Sequence, residues 1–446
     1  MKQLLEKYDT PAPRYTSYPT VPYWTDSPTL DECIQSLETH LTPKESKLAL
    51  YLHIPFCETL CTFCGCNTSI TKNHTVEEPY VAAIKNELNL YTDKVTSLKG
   101  KKLSELHLGG GSPTYLSDYH LESTIDYILN KLNPTEDPQY SIEVDPRRTR
   151  VSQLKLLQKL GFRRISLGVQ DFDPEVQRLV NRIQPFELTE NITREARALG
   201  FDSINFDLIY GLPKQTLDSM KYTIERTLEL KPDRIAFYSY AHVPWIKASQ
   251  RLFTEKDLPE ATVKRDLYEI GRQLLEKEGY REIGMDHFAL PHDKLWKAFN
   301  SNQLHRNFMG YSDSKTDVML GLGSSSISET PDLFFQNQKL EMKYRKSLLD
   351  GIIPILRGHK LTKSDQIRKQ LILDLMTSWK VNVPSEMKTH VFQFLKEMES
   401  DQLVSWQENT LSVTELGKPF LRIIAMAFDE KLQLSQPTKP VFSKAI

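Results

Sequence analysis

The stretch Phe56–Cys66, "FCETLCTFCGC", places four of the chain's five cysteines within eleven positions. Cys57, Cys61 and Cys64 stand in a C-x3-C-x2-C spacing, and Cys66 follows Cys64 with one residue between. The fifth, Cys33, lies in the helix-like "TLDECIQSLETHL" and reads as a core thiol. No cysteine follows Cys66, which is not how a disulfide framework is distributed, so the group points to metal in a reducing compartment. Zinc wants four ligands and usually comes as paired knuckles, yet no second C-x2-C and no H-x3-5-H is present. Thiolate-rich loops also hold [4Fe–4S] clusters, as a rule through four cysteines. In a locally extended chain Cys64 and Cys66 share a face, so spacing alone leaves the number of binding thiols open.

Directly ahead of the cysteines runs the apolar "LALYLHI" (48–54), the first of six short apolar or alternating stretches. The others are "LSELHLGGG" (103–111), "YSIEV" (140–144), "RISLGV" (164–169), "SINFDLI" (203–209) and "RIAFYSY" (234–240). Helix-like segments stand between them, among them "VSQLKLLQKLGF" with its glycine stop and "TLDSMKYTIERTLEL". Strand alternating with helix predicts a parallel sheet. Six βα units fall short of a closed eight-unit barrel. Each strand candidate ends on a polar or glycine signal: His53, Gly109–Gly111, Glu143 with Asp145, Gln170 with Asp171, Asp207, and Tyr240 with His242. Chemistry in parallel barrels gathers at the carboxyl ends of the strands, so these six endings predict one shared mouth.

A chain of 446 residues is long enough for about two or three domains. The division expected is an N-terminal arm and helix at 1–45, a partial barrel with its extension at 46–355, and a small helical, winged-helix-like covering domain at 356–446. The segment "TPAPRYTSYPT" (10–20) is too proline-rich for a helix. Near the end, two helix-like stretches precede an alternating pair, "LVSWQENTLSVT", that turns at Glu408 and Asn409. Winged helices often bind DNA, but 57 basic against 58 acidic residues leave no basic footprint, so no nucleic-acid partner is expected. The first twenty residues hold no apolar core of a signal peptide, and no run reaches the ~20 apolar residues of a membrane span. A cytoplasmic monomer is expected.

C-x3-C-x2-C on a loop after the first barrel strand resembles the radical S-adenosylmethionine (radical SAM) superfamily. The likeness extends through "PRYTSYPT", "YLHIPFCETLCTFCGCN", "LHLGGGSPTYL", "SIEVDPR", "GVQDF", "VQRLVNR", "DLIYGLPKQT", "GMDHFA", "HRNF" and "GYS". These motifs are similar to those of the oxygen-independent coproporphyrinogen III oxidase (coproporphyrinogen dehydrogenase) family, and they cover nearly the whole chain. The resemblance implies a partial (βα)6 TIM-like barrel of the radical SAM type. It also implies conversion of two propionates of coproporphyrinogen III to vinyls through a 5′-deoxyadenosyl radical, giving protoporphyrinogen IX in haem biosynthesis. Its implied cofactors are one [4Fe–4S] cluster on Cys57, Cys61 and Cys64 and two S-adenosylmethionine molecules, with electrons from a flavodoxin or ferredoxin system.

By the same resemblance Tyr51, Gly110, Glu143 and Ile327 surround the first S-adenosylmethionine, with Tyr51 and Glu143 as catalytic residues. Phe63, Gly111, Ser112, Gln170, Arg182, Asp207 and Ala241 surround the second. The glycines at 109–111 then let backbone approach the cofactor closely. Each residue also has a plainer reading: Glu143 as a surface carboxylate, Asp207 as a turn cap, Arg182 in an ion pair, Tyr51 in the core, His53 as a satisfied interior histidine. Arg14, His287, His305 and Arg306 are candidates for the substrate carboxylates by motif position. Met309 stands where the family usually carries Gln, and Ser112 replaces a more usual Thr. Related haem chaperones keep cluster and barrel but typically lack the cysteine at Cys66 and the "PRYTSYPT" arm; both are present here. Oxidase activity is therefore expected over haem transfer.

Overall fold

In a computed structural model, which describes residues 1–24, 28–435 and 441–445, the six stretches form consecutive parallel strands. They are β1 (Leu48–Ile54), β2 (Leu103–Gly110), β3 (Pro134–Val144), β4 (Arg164–Gln170), β5 (Ser203–Tyr210) and β6 (Arg234–Ser239). Every residue of β1 except Tyr51 is buried, while burial along β4 strictly alternates. A strand covered on both faces reads as a continuous apolar run, and one facing a polar interior reads as alternation.

Helices Glu77–Lys94, Asp118–Lys131, Val151–Lys159, Phe186–Ala198 and Leu217–Leu230 connect these strands. Their ends follow local chemistry. The Ser117 side chain accepts the His120 N–H at one helix start, and Thr216 with Ser219 forms a reciprocal box at another. Two helices stop at "LGF" repeats. Gly161 and Gly200 take φ of +94° and +83°, and the next residues, Phe162 and Phe201, reach back to the carbonyls of Leu157 and Ala196.

The partial barrel expected from the sequence is present within a longer sheet. Six further strands extend it: β7 (Arg281–Ile283), β8 (His287–Ala289), β9 (Val318–Leu322), β10 (Ile327–Glu329), β11 (Leu333–Asn337) and β12 (Ile355–Lys360). The order is β12-β11-β10-β9-β1-β2-β3-β4-β5-β6-β8-β7. β9 runs parallel to β1, and the strands beyond it and beyond β6 run antiparallel. β7, β8 and β10 have three residues each, too short to show a period.

The arm does not stand alone. Leu5, Tyr8, Ala12, Tyr15 and Tyr18 share one hydrophobic cluster with Ile372, Leu395, Phe420, Ile424 and Phe428 of the C-terminal segment. Buried Arg422 donates to the carbonyls of Ala12, Pro13, Lys444 and Ala445. The C-terminal segment carries helices Lys363–Ser378 and Ser385–Ser400 and a three-stranded antiparallel sheet of β13 (Lys380–Asn382), β14 (Val404–Gln407) and β15 (Thr410–Val413). Its hairpin turns at Glu408 and Asn409, with Glu408 at φ +53°. Among the described residues no helix is long and apolar enough to cross a membrane.

Candidate active site

A cavity of about 620 Å³ runs from the cysteine loop down the barrel interior to Arg164, Ser203 and Arg234. A larger groove, about 1350 Å³, lies at the other end near Lys44, Lys101, Glu136 and Lys297. None of the motif residues lines it, so its size does not make it the site.

The cysteine loop is held from all sides. The Thr62 N–H donates to the Val180 carbonyl at 3.0 Å, Asn181 to Leu60 O at 2.7 Å, Gln250 to Phe63 O at 3.0 Å, and Lys247 Nζ to Cys66 O at 2.7 Å. Cys57, Cys61, Cys64 and Cys66 all line the cavity. Burial pushes the Cys57 thiol up to about 12. Cys64 is drawn down by the Cys66 thiol and by the Cys66 N–H, which lies 3.4 Å from the Cys64 sulfur. Among the described residues no group of three or more Cys, His, Asp or Glu is arranged around a single metal ion. Thiolates that each hold a separate iron corner of a cubane do not converge on one point.

The glycine turn is built by close approach of the chain to itself. A Cβ at Gly110, whose φ is +114°, would stand 2.7 Å from the His53 ring. One at Gly111 would stand 2.8 Å from the Pro55 carbonyl. The Gly111 and Ser112 N–H groups donate to Ile54 O at 2.8 Å and Phe56 O at 2.9 Å. The glycines therefore clamp the cysteine loop onto β2, a role distinct from the cofactor approach expected above.

Glu143 ends β3 facing the cavity with 44% of its side chain exposed. Its carboxylate accepts the Gly110 N–H at 3.2 Å and approaches His107 Nε2 at 3.4 Å. Burial opposes its charge, but His107, the Gly110 N–H and nearby His53 outweigh burial and hold its pKa below the ordinary value. His107 is completed by Ser141 Oγ at 2.7 Å from Nδ1 and by Tyr51, stacked on it at 5.9 Å. Tyr51 does not line the cavity. Its register partners are His107 on β2 and Gly321 on β9. The Ile327 carbonyl lies over Gly321, so close that a Cβ there would meet it at 2.6 Å. Ile327 likewise stands outside the cavity wall. His53 is a satisfied interior histidine, with Nδ1 3.1 Å from Tyr51 OH and Nε2 2.9 Å from Asn67 O.

Phe63, Gly110, Gly111, Ser112, Gln170, Arg182, Asp207 and Ala241 all line the cavity. Gln170 has φ +70° at a register shift that ends β4. Arg182 is buried; it donates to Gly168 O at 2.5 Å and to the Cys61 sulfur at 3.6 Å, while its Nε has no partner. That orphaned donor suits an anionic ligand group. Asp207 accepts from Ser166 at 3.0 Å and from Asn205 at 2.8 Å. Burial and the Glu143 charge raise its pKa to about 7.

Of the four substrate candidates, Arg14 and His287 reach the cavity and His305 and Arg306 do not. Arg14 pairs with Asp286 and His287 Nδ1 approaches the same carboxylate at 2.9 Å. Arg306 instead donates to the Arg14 carbonyl at 3.0 Å. Met309 lines the cavity.

Residues 51–227 match the Radical SAM superfamily. Over 440 residues the chain is 38% identical to the oxygen-independent coproporphyrinogen III oxidase of Escherichia coli (strain K12), covering 96% of this chain and 95% of that protein. This chain belongs to the oxygen-independent coproporphyrinogen III oxidase family. Its relative in Synechocystis is 37% identical over 460 residues, covering 100% of this chain and 97% of that one. A solved structure of coproporphyrinogen III oxidase (HemN) from Escherichia coli, described as a radical SAM enzyme, matches at a TM-score of 0.90 and 36% identity, covering 97% of this chain and 99% of that one.

For a coproporphyrinogen III oxidase of this family, radical SAM membership implies a [4Fe–4S] cluster and S-adenosylmethionine. The residues fit: three thiols on one braced loop, an orphaned guanidinium N–H, and a carboxylate open to the cavity. Sequence reasoning missed His107, Ser141 and Arg147. The signal for the first two was available, because residues two apart on a strand share a face: His107 lies two before Gly109, and Ser141 two before Glu143.

Proposed function

We infer that this chain converts two propionate side chains of coproporphyrinogen III to vinyl groups, giving protoporphyrinogen IX in oxygen-independent haem biosynthesis. What carries the reading is that likeness to the oxidases runs over nearly the whole chain, while Cys57, Cys61 and Cys64 of the C-x3-C-x2-C loop line the barrel cavity. When bound and reduced by one electron, the cluster and S-adenosylmethionine would supply the radical hydrogen abstraction that lets each propionate lose CO2 and one further electron to become a vinyl.

The chain's own residues bind, orient and exclude water. Cys57, Cys61 and Cys64 hold one [4Fe–4S] cluster and leave one iron open for S-adenosylmethionine. Gly110 and Glu143 border that first molecule, with Tyr51 and Ile327 behind them, and the Glu143 carboxylate accepts from its ammonium or ribose hydroxyls. Tyr51 and Ile327, which lie outside the cavity wall, act by fixing His107 and β9. Phe63, Gly111, Ser112, Gln170, Arg182, Asp207 and Ala241 surround a second, with the free Arg182 Nε facing its carboxylate. Two decarboxylations make two cofactor molecules intelligible. Arg14 and His287 hold substrate carboxylates at the cavity wall, Met309 packs against the tetrapyrrole, and a flavodoxin or ferredoxin supplies the electron.

The test is anaerobic reconstitution with iron and sulfide, then incubation with coproporphyrinogen III, S-adenosylmethionine and a reductant. Protoporphyrinogen IX, CO2 and 5′-deoxyadenosine are expected together. A chain that binds haem but releases none of the three is a haem carrier, and the reading is then wrong.

A further inference from the structure

Directly after β3 ends at Val144, the sequence "DPR" (145–147) folds back on itself. Asp145 grips the Arg147 guanidinium with both carboxylate oxygens, Nε to Oδ1 at 2.9 Å and Nη2 to Oδ2 at 2.6 Å. The Arg147 N–H adds a third bond to Oδ1 at 3.0 Å. So held, Nη2 presents its other hydrogen to the Cys61 sulfur at 3.5 Å. Arg182 reaches the same sulfur at 3.6 Å and approaches Asp145 Oδ1 at 3.5 Å. Two guanidiniums that share the Asp145 carboxylate thus both reach one thiol. Burial opposes the Asp145 charge, yet the two guanidiniums outweigh it and hold its pKa at about 2, so the arrangement stays ionised at neutral pH.

The fork is not needed to hold the turn. The Asp145 carbonyl already accepts the N–H groups of Arg148 and Thr149, both at 3.0 Å, and the Thr149 hydroxyl at 2.9 Å. Nor do neighbouring arginines share the geometry: Arg148 turns outward, 44% exposed, to Glu58, whereas only 13% of the Arg147 side chain is exposed.

We propose that Arg147, oriented by Asp145, is a positioning residue that sets the reduction potential of the iron–sulfur cluster through Cys61. The inference rests on the reading of Cys57, Cys61 and Cys64 as the cluster's ligands. One electron enters the cluster on reduction; no bond forms or breaks in the chain and no proton is transferred. Reduction adds negative charge shared with the ligand sulfurs. A fixed cation whose N–H points at one of them stabilises the reduced state more than the oxidised state, and more strongly where water is excluded. Arg182 has a second task in the proposed binding of S-adenosylmethionine, so Arg147 is the cation dedicated to the sulfur.

The experiment compares the full chain with Arg147→Met and Arg147→Lys after anaerobic reconstitution, measuring iron and sulfide content and the cluster's midpoint potential by redox titration followed by electron paramagnetic resonance, without substrate. Arg147→Met is expected to keep the wild-type iron content while the reduced-to-oxidised ratio at a fixed potential falls about tenfold, a shift of about 59 mV to more negative values for one electron. Arg147→Lys, which keeps the charge and loses the fork, is expected between the two. A full cluster with an unchanged midpoint in Arg147→Met overturns the proposal and leaves the ligand assignment standing. If Arg147→Met assembles no cluster, Arg147→Lys and Arg147→Gln are compared instead, and equal midpoints in those two overturn it. A wild-type chain that binds no such cluster overturns the ligand assignment and this proposal with it.

Discussion

The Glu143 carboxylate accepts the backbone N–H of Gly110 at 3.2 Å, which ties the end of β3 to the glycine turn that follows β2. Through that turn, whose next two N–H groups donate to Ile54 and Phe56, a single carboxylate is mechanically joined to the cysteine loop. Glu143 therefore bears on both proposed cofactors at once.

Glu143→Gln keeps an oxygen for the Gly110 N–H and removes the charge. Charge-assisted hydrogen bonds contribute about 1.5–3 kcal/mol, so S-adenosylmethionine is expected to bind the reconstituted protein about tenfold to a hundredfold more weakly, by anaerobic equilibrium dialysis. Iron content should not change. Equal affinity in the variant removes Glu143 from the binding set.

Gly111→Ala drives a methyl group to 2.8 Å from backbone atoms of Pro55 and Phe56, which cannot swing away as a side chain can. A loss of about 2–3 kcal/mol is expected from overpacking, read as a lower urea midpoint. Gly65→Ala is the control, because a Cβ there meets nothing within 4 Å; it should be nearly neutral.

Cys66→Ala should retain the iron of the wild type after reconstitution, whereas alanine at Cys57, Cys61 or Cys64 should abolish most of it. The substitution removes the Cys66 thiol beside Cys64 but keeps the Cys66 backbone N–H at the Cys64 sulfur. Loss of iron in Cys66→Ala would make Cys66 a fourth ligand and refute the open iron corner.

Asp207 supplies a pH dependence with a definite sign. Its folded pKa is raised to about 7 by burial and Glu143, above the ~3.9 of an unfolded chain. The folded state thus binds the extra proton between those values. The stability this contributes is fully present below about pH 4 and is lost as pH rises through about 7. Asp207→Asn, whose amide can donate to Ser166 Oγ, should flatten the fall in urea-unfolding stability from pH 5 to pH 8. An unchanged slope shows that Asp207 is already ionised in the folded protein.

Much of the fold was legible before any coordinates. The six barrel strands were visible as apolar runs or apolar–polar alternation, according to whether one or both faces are covered, and the "LGF" stops because a helix end in the left-handed region favours glycine. The sheet's outer half was not read, and within it the three-residue strands such as β7 and β10 carry no usable period. The cysteine triplet and most proposed cavity residues were found by motif, and Asp207, Gln170 and Arg182 do meet in one cavity. His305 and Arg306 were grouped with Arg14 by motif alone; only Arg14 reaches the cavity, and Arg306 sits behind it on its carbonyl.

Sequence by itself determined the chemistry available here, because thiol spacing, glycine positions and charged strand ends are local properties of the chain. Only tertiary structure decided which groups face one another. Arg147 lies 86 positions from Cys61 and Arg14 272 from Asp286, and no local period reports on a contact closed by a barrel. The polar interior depends on those distant closures: a buried cation or carboxylate is tolerated only where the fold brings it a partner.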